Sequence, residues 1–219
     1  MIFVNYKTYE EGTGQRAVAL TKILEEVAHE TQIKIVPVVQ VGDVKEVVVS
    51  TTLEVWTQKV DPVEFGAHTG SVVPESVFED GAVGTFLNHS ESRFATFDEL
   101  GKASDRAKSV GLKTLIFAKD IEELKNITSL SPSYLAYEPP ELVGSSTVSV
   151  STAKPEVIKE AAEIAKLAGT PLIVGAGIHS ADDIKKSLGL GAVGFAVASD
   201  ILKAEDPKKE LLDLTEGFK

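Results

Sequence analysis

Three ionisable residues of different chemistry stand just past the ends of apolar runs: Lys7 after IFVNY, His89 after VGTFLN and Glu138 after SYLAY. A carboxylate, an imidazole and an ammonium group, in a chain without cysteine, suit proton transfer and exclude thiol chemistry. Period-two alternation puts Asn5 and Lys7 on one face of the first run and Tyr6 on the other. An inward lysine at a strand end supplies the positive charge that an acidic protein needs to hold an anion. The competing reading is a lysine that snorkels to solvent. His89 precedes Glu91-Ser92-Arg93, which read as the opening of a helical turn. The positive end of a helix dipole disfavours imidazolium, and a neutral ring donates a hydrogen bond to a carbonyl oxygen. A capping or interface histidine is the alternative. Of the other histidines, His29 and His179 read as solvated positions in or beside helices, and His68 as part of a contact loop.

Glu138 opens the stretch EPPELVGSS. A base that takes a proton from carbon is held at the mouth of a site and desolvated when it acts. Pro139 and Pro140 fix φ at the first hinge of the loop that follows, while Gly144, Ser145 and Ser146 loosen the second. That is the build of a lid that closes over a small substrate. Glu141, inside the loop, is the competing carboxylate and reads as solvated.

These residues need a scaffold that gathers strand ends. Strand-like runs occur at 2–6, 33–39, 55–59, 83–88, 113–117, 133–137, 171–175 and 192–197. Between most of them lie segments with apolar residues near period 3.6, such as 14–30, and one that opens on Ser180 as a cap. The stretch 119–128 carries the weakest helical pattern, and 61–81 reads as a long loop with a helical turn or two. Near-continuously apolar strands alternating with helices predict a parallel sheet covered by helices, and eight such units predict a closed (β/α)₈ barrel. An open doubly wound sheet would carry a glycine-rich dinucleotide loop, and none is present. The expectation is one α/β barrel domain over residues 1–219 with its site at the C-terminal strand ends. There, Gly175 and Gly177 after the seventh strand, and Ala198-Ser199 after the eighth, offer backbone N–H groups to a phosphate.

Composition narrows the partners. The chain has 219 residues, 43% hydrophobic and 25% charged, and a net charge of −11, which argues against nonspecific nucleic-acid binding. No run is long and apolar enough to span a bilayer, the first residues do not read as a signal peptide, and the absence of cysteine makes the cytoplasm the default location.

Taken together, NYKTY, FLNHSESR, AYEPPELVGSS, VGAGI and GFAVAS resemble the triosephosphate isomerase family in its short archaeal form, over nearly the whole chain. The resemblance implies a TIM barrel that interconverts dihydroxyacetone phosphate and glyceraldehyde 3-phosphate with neither metal nor cofactor. It implies Glu138 as the base, His89 as the electrophile, Lys7 as the charge stabiliser and Asn5 as an orienting residue. Gly144, Gly177, Ala198 and Ser199 would bind the phosphate, and Ser90 and Glu91 would support the catalytic groups. The neutral imidazole and the lid belong to this resemblance as much as to the residues, so they carry no independent weight. It also implies a homo-oligomer, dimer or tetramer, assembled through the loop 61–75. Four positions depart from the family pattern: Asp200 and Ser146 stand where small residues or glycine are usual, Lys59 where histidine is common, and Phe117 where cysteine is frequent. Asp200 is expected to weaken phosphate binding unless its carboxylate points away. The rivals are an aminoaldose isomerase, which would need an acid–base pair on the first and fifth strands, and a catalytically weak relative that binds phosphorylated ligands or serves assembly.

Overall fold

A computed structural model describes residues 1–138 and 155–219. Eight strands, β1 (Ile2–Asn5), β2 (Ile35–Val39), β3 (Trp56–Thr57), β4 (Gly84–Leu87), β5 (Lys113–Ala118), β6 (Tyr134–Tyr137), β7 (Leu172–Val174) and β8 (Gly194–Val197), pair in sequence order, all parallel, and β8 closes on β1. The helices between and after them are α1 (Gln15–Thr31), α2 (Val44–Ser50), α3 (Pro74–Glu79), α4 (Phe97–Ser109), α5 (Ile121–Thr128), α6 (Pro155–Leu167), α7 (Ala181–Gly189), α8 (Ser199–Leu202) and α9 (Pro207–Thr215). This is the single-domain (β/α)₈ barrel that the alternation of runs predicts.

Strand periodicity splits the core in two. Phe3, Val38, Trp56, Phe86, Phe117 and Ile173 fill the barrel interior, while Ile2, Val4, Ile35, Val39, Ile116 and Val174 pack outward against the helices. The interior holds edge-to-face aromatic pairs, with Phe3 and Trp56 centroids 5.0 Å apart and Phe86 and Phe117 4.9 Å apart. Gly84 leaves space for the indole, since a Cβ there would lie 2.5 Å from the ring of Trp56. Along β1 the alternation buries Tyr6 on the helix side, where its hydroxyl and that of Thr21 on α1 share a 2.8 Å hydrogen bond. The next inward position after Phe3 is therefore Asn5.

Helix starts follow side-chain chemistry. Thr96, Asp120, Ser180 and Asp206 each accept a backbone N–H three residues on, capping α4, α5, α7 and α9. The Asp120 cap gives the weakly patterned stretch 119–128 a defined helix, α5. The third strand is shorter than the run 55–59 predicts, because the chain past Thr57 turns its polar side chains to neighbouring loops: Gln58 Nε2 donates to the Lys7 carbonyl at 2.9 Å. No helix among the described residues is long and apolar enough to cross a membrane.

Glu25 ties α1 to the turn before β3. One carboxylate oxygen accepts the Thr52 N–H at 2.6 Å and the Thr52 hydroxyl at 2.7 Å. These bonds, the backbone one first, bring its carboxyl from the ordinary 4.5 to about 2. A depressed folded value stabilises the fold above the unfolded pKa, and the contribution is lost as pH falls from about 4.5 through about 2. Discounted for contact with solvent, Glu25→Gln is expected to lower unfolding stability by about 1–2 kcal/mol at pH 7. The difference from the parent should vanish near pH 2 in urea titrations; a gap independent of pH would mean lost packing instead.

Candidate active site

The C-terminal strand ends bring Asn5, Lys7, His89 and Glu138 to one cleft that is open to solvent. Lys7 has φ +47°, a left-handed conformation that costs a non-glycine residue free energy unless neighbours hold it. Here its N–H donates to Asn5 Oδ1 at 3.1 Å and its carbonyl accepts Gln58 Nε2. The backbone is thus clamped from both sides, and the ammonium group reaches across to Glu91 Oε1 at 2.9 Å. Gln58 had no role in the sequence reading; the signal was its position, a polar residue at the end of the third run.

His89 follows Asn88, which also has φ above zero (+60°) and is anchored from behind. Asn88 Nδ2 donates to the Phe117 carbonyl at 3.0 Å and to Glu123 Oε1 at 3.2 Å. Arg93 pairs with the same carboxylate oxygen. Phe117, one of the departing residues, meets the His89 ring edge-on at 4.9 Å. Beyond His89 the chain makes a single hydrogen-bonded turn, Ser92 N–H to the His89 carbonyl at 2.8 Å, and the next helix begins at Phe97. The dipole of a following helix is therefore not what sets the ring's state. A single amide acts instead: the Glu91 N–H donates to His89 Nδ1 at 3.2 Å. With Nδ1 accepting, the ring proton sits on Nε2, which faces Glu138 Oε1 at 3.4 Å.

Glu138 is 5% exposed. Burial pushes its carboxyl up, but the donors from His89 and Ser90 outweigh that effect and hold it below the usual carboxylate range. The Ser90 contribution is the backbone N–H, which reaches Glu138 Oε2 at 3.3 Å; the Ser90 hydroxyl is buried beside it without a sound hydrogen bond. Ser90 and Glu91 thus touch the three ionisable groups directly, Glu91 through both its N–H and its carboxylate.

Gly175, beside Glu138, and Gly177, Ala198 and Ser199 line the same cleft. Gly177 has φ +63°, so the turn after β7 needs glycine there. Gly144 and the rest of the hinge, with Pro139, Pro140, Glu141, Ser145 and Ser146, lie outside the described residues. Two readings need correction or completion. His179 is not a solvated helix-flanking histidine: it lines the cleft, and its Nδ1 is 3.0 Å from Asp200 Oδ2. Lys59 lies on the rim of the loop 61–75, paired with Asp61 at 2.8 Å and away from the cleft. His29 and His68 are exposed. No group of three or more potential metal ligands occurs among the described residues.

The arrangement places a buried carboxylate next to an imidazole Nε2–H, in one cleft with the Lys7 ammonium group and turns rich in backbone N–H. Such a site can move a proton on carbon and meet the charge that develops on oxygen. The family model for triosephosphate isomerase matches residues 1–217. Among curated proteins, the chain is 44% identical over 218 residues to a triosephosphate isomerase of Metallosphaera sedula, covering 99% of this chain and 95% of that one. It is 41% identical over 216 residues to that of Methanobacterium bryantii, covering 98% and 95%, and 40% identical over 214 residues to that of Saccharolobus solfataricus, covering 97% and 93%. A barrel with this site and these relatives, matched nearly end to end, belongs to the triosephosphate isomerase family.

Proposed function

We propose that Glu138, His89 and Lys7 carry out the reaction of this enzyme, the interconversion of dihydroxyacetone phosphate and D-glyceraldehyde 3-phosphate. The observation that carries the assignment is their convergence at one lip, with His89 Nδ1 occupied as an acceptor and Nε2–H turned to the reacting side. Glu138 takes the proton from C1 of the ketose, and the C–H electron pair moves to form the C1–C2 double bond while the carbonyl electrons move onto O2. Nε2–H of His89 and Nζ of Lys7 meet the negative charge of the enediolate. His89 gives its Nε2 proton to O2 and recovers one from O1, and Glu138 returns its proton to C2, completing the aldose. Asn5 acts one step back by fixing the Lys7 backbone, and Ser90 and Glu91 hold the carboxylate and the imidazole.

Backbone amides of Gly177, Ala198 and Ser199, with Gly144 from the loop outside the described residues, bind the phosphate. Binding energy from that nonreacting group orients the reacting carbon. A coupled assay of glyceraldehyde 3-phosphate isomerisation tests the reading, and turnover no faster than a buffer control would sink it. The alternative of a weak phosphate-binding relative leaned on Asp200 and Ser146. Asp200 is tied to His179, and Ser146 lies outside the described residues. An aminoaldose isomerase would need an inward acid or base on β5, whose Lys113 instead pairs with Glu54.

Residues 1–219 act in this reading as one catalytic domain, located in the cytoplasm and assembled through the loop 61–75. The loop is closed at its base by paired bonds between Asp61 and Val72, each 2.8 Å, and carries Phe65 73% exposed near its tip. An exposed phenylalanine on a braced loop favours a partner surface. Light scattering at micromolar concentration is expected to give at least a dimer mass, and Phe65→Ser to shift the protein toward monomer; a monomeric parent would overturn the assembly.

A further inference from the structure

Asp200 poses an electrostatic problem at the end of the cleft assigned to phosphate. It lines that cleft with Gly177, Ser199 and His179. On its other side it borders a rim where Glu205, Asp206, Glu210 and Asp213 outnumber Lys203 and Lys209. Its charge is felt there, since burial and then Asp200 push the Glu210 carboxyl up. A phosphate dianion entering the cleft therefore approaches a carboxylate with no lysine or arginine pairing it among the described residues.

The group that does meet Asp200 is His179, Nδ1 to Oδ2 at 3.0 Å. An ionised carboxylate only accepts, so Nδ1 carries the hydrogen. The histidine is anchored from behind: its backbone N–H donates to Asp183 Oδ2 at 3.2 Å, and the same oxygen accepts the Ser180 hydroxyl at 2.8 Å at the start of α7. Its other ring nitrogen, Nε2, is buried with no hydrogen-bond partner among the described residues. Burying an unpaired ring nitrogen is unfavourable, so no contact at Nε2 accounts for the ring's orientation, whereas the contact at Nδ1 does. The pair joins the loop after β7 and the first turn of α8, the two neighbouring segments assigned to the phosphate.

We propose that His179 is a positioning residue for phosphate binding: its Nδ1–H draws the Asp200 carboxylate toward the loop after β7 and keeps it out of the anion's path. Affinity for the phosphorylated substrate in this chain then depends on the 179–200 pair, and on Asp200 only when its carboxylate is released. The inference rests on the phosphate site assigned above, and it makes the effect of each partner unequal. Losing His179 is harmful because a free carboxylate remains, whereas neutralising Asp200 is harmless.

The test compares the full-length parent with His179→Ala, His179→Asn, Asp200→Asn and the double variant His179→Ala/Asp200→Asn. Readouts are KM and kcat for glyceraldehyde 3-phosphate and the Kd of inorganic phosphate by calorimetry. His179→Ala should raise KM and the phosphate Kd roughly three- to tenfold, with kcat within about twofold, as for one uncompensated charge at a partly solvated site. His179→Asn, whose amide nitrogen falls near the position of Nδ1, should stay within about twofold of the parent for the same reason. The double variant should return to parental KM, and the His179→Ala deficit should shrink at high salt. A double variant as weak as His179→Ala would overturn the proposal in favour of a tether. If His179→Ala does not fold, Asp200→Asn decides alone: equal or tighter phosphate binding supports the proposal, and looser binding overturns it. A parent without turnover defeats the isomerase assignment, while the phosphate Kd values still judge the pair.

Discussion

Glu138→Gln is expected to lower kcat by about 10³-fold or more, at the upper part of what a positioned general base contributes, with KM nearly unchanged. The amide keeps the volume of the side chain and can still accept the Ser90 N–H, so the pocket has no reason to collapse. What it loses is the ability to take a proton from carbon. The environment of Glu138 also predicts how its basicity changes during the cycle. In the free protein, burial raises its carboxyl while the His89 and Ser90 donors lower it by more, so it is ionised throughout the neutral range. In the proposed cycle the carboxylate turns to the substrate and Nε2–H of His89 to the substrate oxygens, so the lowering contacts would go while the burial remains. On that proposal the carboxylate would become a stronger base at the step that needs one. Carbon-13 NMR of the labelled carboxyl should therefore give a titration below the usual glutamate range without ligand and a higher one with an unreactive phosphorylated analogue bound. A Glu138→Gln protein that keeps a tenth of parental kcat would move the role of base to another carboxylate, with Glu141 the first to test.

How much of this was legible before the structure varies with the physics behind each element. The barrel was readable because its strands are buried on both faces and so appear as apolar runs, while the intervening helices keep a 3.6 period. The helix α5 was faint because its apolar stripe is only Ile121, Leu124 and Ile127, and its start depends on a cap made by Asp120. The catalytic candidates were visible as ionisable residues at run ends. Their mutual contacts were not, since Lys7 and Glu91 lie 84 residues apart and meet only through barrel closure. The turn after β4 illustrates the limit. The letters Glu-Ser-Arg after His89 suggested a helix opening, whereas the ring is oriented by one amide N–H inside a short turn. His179 and Asp200 were each seen and not joined. Both follow the ends of β7 and β8, which are adjacent strands, so the barrel prediction already placed them side by side, and applying that adjacency to the side chains would have found the pair.

His89→Asn should cost about 10²–10³-fold in kcat, the loss expected when one preorganised donor to a developing oxyanion is removed. Asparagine is chosen because its amide oxygen matches Nδ1 and can still accept the Glu91 N–H, while the side chain falls short of the position of Nε2, so no donor reaches the substrate oxygens. The variant also separates two effects that act in opposite directions. Without Nε2–H, Glu138 loses its largest acid-strengthening partner while its burial persists, so its carboxyl rises from its depressed position. Taken alone, that change makes it a stronger base and favours proton abstraction once it is ionised. The rate nevertheless falls, because the enediolate oxygens have lost the donor that stabilised them, and Lys7, already engaged with Glu91, cannot cover both oxygens. The expected signature is a lower kcat together with a Glu138 titration moved to higher pH. A lower kcat with an unmoved titration would mean that the 3.4 Å approach of Nε2 to Glu138 contributes nothing to the carboxylate, leaving the Ser90 N–H to hold it alone.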